Sequence, residues 1–192
     1  MNARALLFLS AIALTGCGNP VADAEIAALG DEVPGVAQGE FHRPGQPCTL
    51  CHSDYYGAGD VFSIAGTIFA FPATGPTDEP VPAPNATVTL YDTTGIAMTA
   101  TTNCVGNFFL TQDQYNPQFP LDVFVDADLP TTPSRHAHLS MDSRVSRQGS
   151  CAGCHFLQLS QVSPGWVFVT TDKTVPFTKP DAATCPGAAN FP

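Results

Sequence analysis

The sequence predicts a mainly β chain, with an antiparallel β-sandwich in its middle and loop-rich segments on either side. Three observations carry that expectation. Short runs between residues 61 and 127 alternate apolar and polar side chains, the period of a half-buried strand. Gly, Asn, Asp and Pro punctuate those runs at the spacing of turns. Finally, 16 Gly and 18 Pro among 192 residues are many for a globular domain, yet fewer than the roughly 25–30% that marks disorder, and 44% hydrophobic residues supply a core.

The chain opens with MNARALLFLSAIALTGC, in which Arg4 precedes an apolar run from Ala5 to Leu14 and small residues lead to Cys17. That run is too short to cross a bilayer core of about 30 Å, so residues 1–16 read as an export signal and not as a membrane helix. Leu14-Thr15-Gly16-Cys17 resembles the lipobox of bacterial lipoproteins, which implies cleavage before Cys17 and acylation of its sulfur; durable anchoring takes more than one acyl chain. Residues 17–40 then form a lipidated tether with few large apolar side chains, and residues 21–30 can make one or two helical turns. Gly18, in place of the Asp that retains some lipoproteins at the inner membrane, points the anchor to the outer membrane. Export also sets the remaining cysteines in an oxidising compartment.

Residues 41–60 contain Cys48-Thr49-Leu50-Cys51-His52, and residues 128–192 contain Cys151-Ala152-Gly153-Cys154-His155. Both are C-x-x-C-H, the attachment signature of c-type haem. The order has a chemical reason. Two thiols three positions apart meet the two vinyl groups of one porphyrin, and the adjacent His turns under the ring as the proximal iron ligand. With 7 Cys and 5 His in the chain, chance supplies roughly 0.006 copies. Zinc ribbons also use paired C-x-x-C units, but about 15–20 residues apart, and a thioredoxin-like dithiol belongs in a βαβ context that this pattern lacks. The expected cofactors are therefore two covalently bound haems, held by Cys48, Cys51, Cys151 and Cys154, with His52 and His155 as proximal ligands.

A low-spin electron carrier needs a sixth ligand on each iron, usually His or Met. His42, in a Gly- and Pro-rich stretch before Cys48, is one candidate. His138 is the other, preferred to His136, which shares its face if the segment is extended. Met141 lies close enough to Cys151 to compete. Which haem each would serve stays open, and an iron left five-coordinate would admit gas or peroxide.

The strands of the middle follow in order. Residues 62–71 set Phe62, Ile64, Ile68 and Ala70 on one face; a Pro-rich loop fills 72–85; residues 86–92 and 96–102 flank the turn Asp92-Thr93-Thr94-Gly95. A second turn at 103–107 leads to 108–111, and 121–127 closes the set, with Val123 and Val125 matching Val88 and Leu90 as inward residues. Further on, 166–171 reads as another strand or as part of a haem wall. Residues 128–150, broken by Pro130, Pro133 and Gly149, carry Arg135, Arg144 and Arg147, read either as partners of haem propionates or as a solvated loop. Cys104 and Cys185, left over after lipidation and haem attachment, are expected to form a disulfide that pins the C-terminal tail.

The lipobox, the stretch Arg43-Pro44-Gly45-Gln46-Pro47 before the first motif, the β-rich middle and the late Cys151–His155 motif together resemble dihaem c-type cytochrome lipoproteins of bacteria. Within 61–127, Gly66-Thr67-Ile68, then Asn85 to Asp92, then Thr101-Thr102-Asn103 with Gly106-Asn107-Phe108 resemble the carboxypeptidase regulatory-like and transthyretin-like family. Together the resemblances imply an Ig-like antiparallel β-sandwich flanked by loop-rich c-type haem-binding segments, and no protease activity. Asn103 and Cys104 stand where that family usually has an acidic residue, so no metal contact is implied in that turn.

The functional expectation is an electron carrier and not an enzyme: a dihaem protein held by lipid at a bacterial membrane. The net charge is −10, or −11 once Arg4 leaves with the signal, which excludes nucleic-acid binding and favours basic redox partners, with homo-oligomers possible in principle. Two alternatives belong to other classes. One is a structural or adhesive surface lipoprotein whose sandwich binds a protein or glycan and whose C-x-x-C-H units are zinc or disulfide staples. The other is a haem peroxidase or gas sensor with one open iron.

Overall fold

The computed structural model describes residues 19–32, 38–56, 58–72, 80–156, 161–178 and 185. The expected export signal at 1–16 and the acylated Cys17 lie outside the described residues. Contacts divide the chain into residues 1–30 and residues 31–192. The first unit holds α1 (Pro20–Ala28), whose N-cap Asn19 accepts hydrogen bonds from the backbone of Val21 and Ala22, satisfying two of the orphan donors of a helix start. Among the described residues, no helix is long and apolar enough to cross a membrane.

The second unit is mainly β, two sheets facing across one core. The central strand of the first sheet is β1 (Phe62–Phe71). Its first half pairs antiparallel with β5 (Asn107–Thr111); its second half pairs with β2 (Val81–Pro82) and, in parallel, with β8 (Val167–Phe168). The second sheet runs β4 (Ala97–Thr101), β3 (Thr87–Tyr91), β6 (Asp122–Leu129), β7 (Arg135–Ser140), all antiparallel. Between β3 and β4 the Asp92 carboxylate closes the expected turn, accepting from Thr94 Oγ1 at 2.6 Å, Thr94 N at 2.9 Å and Ile96 N at 3.1 Å. The hydroxyl of Thr94, foremost, holds its pKa below the usual value.

Ile64 and Ile68 from one sheet and Val88, Leu90, Val123 and Val125 from the other meet in the core, with Leu121 beneath them. Each such side chain contributes about 1.5–3 kcal/mol by leaving water. The antiparallel sandwich and the inward residues of β3 and β6 are as the alternation predicts.

Four details depart from it. A register shift between Phe62 and Ile64 turns Phe62 off the Ile64 face and onto that of Phe109, where the two rings stack at 4.6 Å. Beyond Ser63, β1 is buried on both faces, because the flanking segments cover its outer side. Residues 135–140, read from the nearby prolines as loop, form β7, whose Ala137 and Leu139 pack against the core while the intervening residues face outward. The run 166–171 contributes only the two-residue β8.

Cys104 and Cys185 are joined in a disulfide with Cα atoms 6.0 Å apart, bridging a sequence separation of 81. They form a small second core with Phe41 and Val105. Cys185 is thus pinned beside Phe41, in the chain that enters the first C-x-x-C-H motif.

Candidate functional site

β1 and its neighbour β5 gather both C-x-x-C-H segments. On the outer face, the chain at 40–45 lies along a polar clamp. The Gly45 N–H donates to Thr67 Oγ1 at 2.7 Å, and that hydroxyl donates to Asn107 Oδ1 at 2.7 Å. Asn107 Nδ2 donates to the carbonyls of Glu40 at 3.2 Å and His42 at 3.0 Å, and Asn103 Nδ2 donates to Glu40 O at 2.7 Å. Pro47 then leads into α2 (Cys48–Cys51), a single turn closed by the His52 N–H on the Cys48 carbonyl at 2.9 Å.

The second motif docks on the other side of β1. The Ala65 N–H donates to the Gly149 carbonyl at 2.9 Å, and Ser150 bridges to Ala65 in parallel. Cys151–Gly153 is a 3-10 turn, closed by the His155 N–H on the Cys151 carbonyl at 2.8 Å. Glycine is required at both contact points. A Cβ on Gly149 would stand 1.7 Å from the Ser63 carbonyl oxygen, and one on Gly66 would stand 2.7 Å from the Cys151 Cβ.

Burial pushes the Cys48 thiol up to about 11 and the Cys151 thiol up to about 12, with the nearby Cys48 adding to the Cys151 shift. The leading cysteines of the two motifs are thus within electrostatic reach of one another. Raised values are the opposite of the lowered thiol pKa that makes a dithiol reactive. Cys51 is half-buried and Cys154 exposed.

Both motif histidines are fixed in the same manner. His52 Nδ1 donates to the Asp60 carbonyl at 3.0 Å, and His155 Nδ1 donates to the Gly165 carbonyl at 2.8 Å. His42 turns its Nδ1 onto the backbone of Gly39. In each ring Nε2 has no hydrogen-bond partner among the described residues. A carbonyl on Nδ1 is the arrangement that orients an imidazole for metal binding through its other nitrogen. His52 stacks on Phe62 with centroids 4.1 Å apart, and the His42 ring lies 5.9 Å from it. Among the described residues, two buried polar atoms near these segments lack a hydrogen-bond partner: Ser150 Oγ, next to Cys151 in the chain, and Trp166 Nε1, whose ring packs on Phe69 and lies against Gly45.

The other expected ligands are elsewhere. His136 and His138 project from β7 toward aspartates of β6: His136 Nδ1 lies 2.9 Å from Asp128 and its Nε2 3.1 Å from Asp126, while His138 Nδ1 lies 2.6 Å from Asp126. Of the two, only His138 keeps a ring nitrogen unpaired among the described residues. It stacks on Phe124 beside an open groove of about 520 Å³ that Tyr91 and Asp122 also line. Met141, partly exposed, follows β7, its N–H on the Val123 carbonyl. Arg135 pairs with Asp172 at 3.3 Å, and Arg144 grips Asp122 through two bonds of 2.9 and 3.0 Å. Sequence reasoning missed Thr67, Asn107, Asp60 and Gly165; the one available signal was the exposed-looking Thr67 and Asn107 on strands that turn out to be covered.

No family model, no curated protein and no solved structure matches the chain. The resemblance to dihaem c-type cytochrome lipoproteins with a carboxypeptidase regulatory-like or transthyretin-like sandwich is thereby overturned as a family assignment. Among the described residues, no three His, Cys, Asp or Glu side chains converge where they could hold a metal ion. The likeness rested on short motifs and on turn punctuation common to antiparallel sandwiches, and such features identify an architecture and not a family.

Proposed function

We propose that this chain attaches two haems covalently, through Cys48 with Cys51 and through Cys151 with Cys154, and passes single electrons while anchored by Cys17 at a bacterial membrane surface. One observation carries the reading. Two C-x-x-C-H segments each make one turn against the same strand, closed by the His N–H on the first Cys carbonyl, with His Nδ1 on a carbonyl and Nε2 without a partner among the described residues. A c-type haem brings four porphyrin nitrogens and asks the chain for one or two axial ligands, so the absence of a three-residue ligand cluster among the described residues does not bear on it.

Haem iron, when bound, supplies a one-electron couple. The chain's own residues supply the rest. His52 and His155 would hold the iron through Nε2, and the Asp60 and Gly165 carbonyls fix the orientation of each ring through Nδ1. Ser150 Oγ, which has no partner among the described residues, offers a donor next to Cys151. β1, rigid and covered on both faces, keeps the two attachment points next to each other, as transfer between centres requires. The net charge of −10 favours a basic partner protein, and the lipid would hold the unit at the outer membrane.

The test is expression with haem-maturation machinery followed by intact mass and reduced absorption spectra. The expected result is a gain of two haems per chain with sharp α and β bands; a chain that acquires no covalent haem overturns the reading. Cys17→Ala should move the protein from the membrane fraction to the soluble one.

A second reading, a surface module that binds glycans, is favoured by the groove on the second sheet. Tyr91 and Phe124 meet edge to face there at 5.8 Å beside Asp122 and Asp126, aromatic faces and acceptors that suit a sugar ring. Glycan-array binding lost in Tyr91→Ala would support it.

A further inference from the structure

Resting on the haem reading above, we infer that His42 and His52 are the two axial ligands of the same iron, the one attached through Cys48 and Cys51. Their ring centroids are 5.9 Å apart with planes tilted by 39°. With metal–nitrogen bonds of about 2 Å and about 1.2 Å from nitrogen to ring centre, two imidazoles on opposite sides of one metal have centroids about 6.4 Å apart. The spacing is within about half an ångström of that value. A tilt of 39° is no obstacle, since each ring plane need only contain the ligand axis and is free to rotate about it.

Both rings are held from behind. His52 is fixed by the Asp60 carbonyl on Nδ1 and by its stack on Phe62 at 4.1 Å. His42 is fixed by its Nδ1 on Gly39 and by its own carbonyl, which receives the Asn107 side chain at 3.0 Å. Each therefore reaches the iron through Nε2. The remaining histidines do not compete for this position: His155 is anchored at Gly165, and His136 and His138 are paired with Asp126 and Asp128 on the second sheet. His42 thus acts as the distal ligand of the haem six residues downstream, and not of the haem at Cys151.

Two single-haem proteins separate the possibilities. Cys151→Ser with Cys154→Ser leaves only the first attachment; Cys48→Ser with Cys51→Ser leaves only the second. Intact mass first counts covalent haem, and a count of zero in both overturns the dihaem reading itself. In the first protein, His42→Ala should convert a low-spin ferric electron-paramagnetic-resonance signal to high spin, and added imidazole should restore it. Restoration shows that the pocket is still folded. His42→Met, close in volume, should keep a six-coordinate iron and raise its potential, as a thioether ligand does. In the second protein, His42→Ala should change nothing. One haem per chain with an unchanged spin state in the first protein, or a spin change confined to the second, overturns the ligand assignment while leaving covalent haem attachment standing.

Discussion

Asn107 donates its side-chain amide to the backbone carbonyl of His42 at 3.0 Å, joining positions 65 residues apart in the chain. The same nitrogen serves Glu40, and its oxygen receives the hydroxyl of Thr67, which in turn receives the Gly45 N–H. Thr67 and Asn107 are both buried. This small network is what seats the chain of the first motif on the sandwich.

Asn107→Ala is accordingly expected to cost about 1–3 kcal/mol, since it strips the His42 carbonyl and the Thr67 hydroxyl proton of their partner, while the Glu40 carbonyl keeps the Asn103 amide at 2.7 Å. Asn107→Asp keeps the size but points an acceptor at two carbonyls, so it should be no better. Urea denaturation reads both, and a loss below about 0.5 kcal/mol would remove the clamp from the account. Thr67→Val, which deletes one hydroxyl and keeps the shape, should cost less than either.

Gly66→Ala and Gly149→Ala test how the second motif docks. Each would force a Cβ into atoms already present, the Cys151 side chain in one case and the Ser63 carbonyl in the other. Overpacking of this kind costs about 1–3 kcal/mol, and Gly149, blocked by backbone, should be the worse of the two. Gly153→Ala is the control, because its Cβ would meet nothing nearer than 3.5 Å. Its expected change in thermal midpoint is within error, whereas equal losses at all three positions would contradict the docking.

What the chain discloses before folding follows from how local each feature is. The alternation of Val88, Leu90, Val123 and Val125 is written in neighbouring residues, and it survives in the core. The two C-x-x-C-H segments are equally local. The register shift at Phe62 is not, because it depends on how β5 pairs, and no periodicity in 62–71 marks it. β7 was hidden for the same reason: its alternation is short, prolines stand beside it, and its partner β6 decides the outcome. His136 and His138 do share a face, as an extended segment requires, but the aspartates that meet them come from that partner strand.

The disulfide gives a stability prediction from separation alone. Closing an 81-residue separation restricts the unfolded chain by about 4–5 kcal/mol in the loop-entropy account. Cys104→Ala with Cys185→Ala should therefore lower the thermal midpoint by about 10–15 °C, and reduction of the parent protein should do the same. The comparison is made by calorimetry with and without reductant; equal midpoints would show that the tail gains nothing from the bond.

The β6–β7 face supplies a pH test. Hydrogen bonds from Asp128 and then Asp126 raise the pKa of His136 above its ordinary 6.5, and His138 and then His136 lower that of Asp126 below its ordinary 3.8. A raised histidine stabilises the fold fully below pH 6.5 and loses that contribution as pH rises through its folded value. A lowered aspartate contributes above pH 3.8 and loses it as pH falls through its own folded value. The interactions are thus fully developed between these limits and fade on both sides. All three side chains are partly or largely exposed, so salt should screen the effect. Imidazole NMR titration is the direct measurement: Asp128→Asn should bring His136 back toward 6.5, with Asp126→Asn giving the smaller return because its bond is the weaker of the two. A His136 pKa that ignores the Asp128 change would mean that the 2.9 Å contact carries no charge coupling in solution.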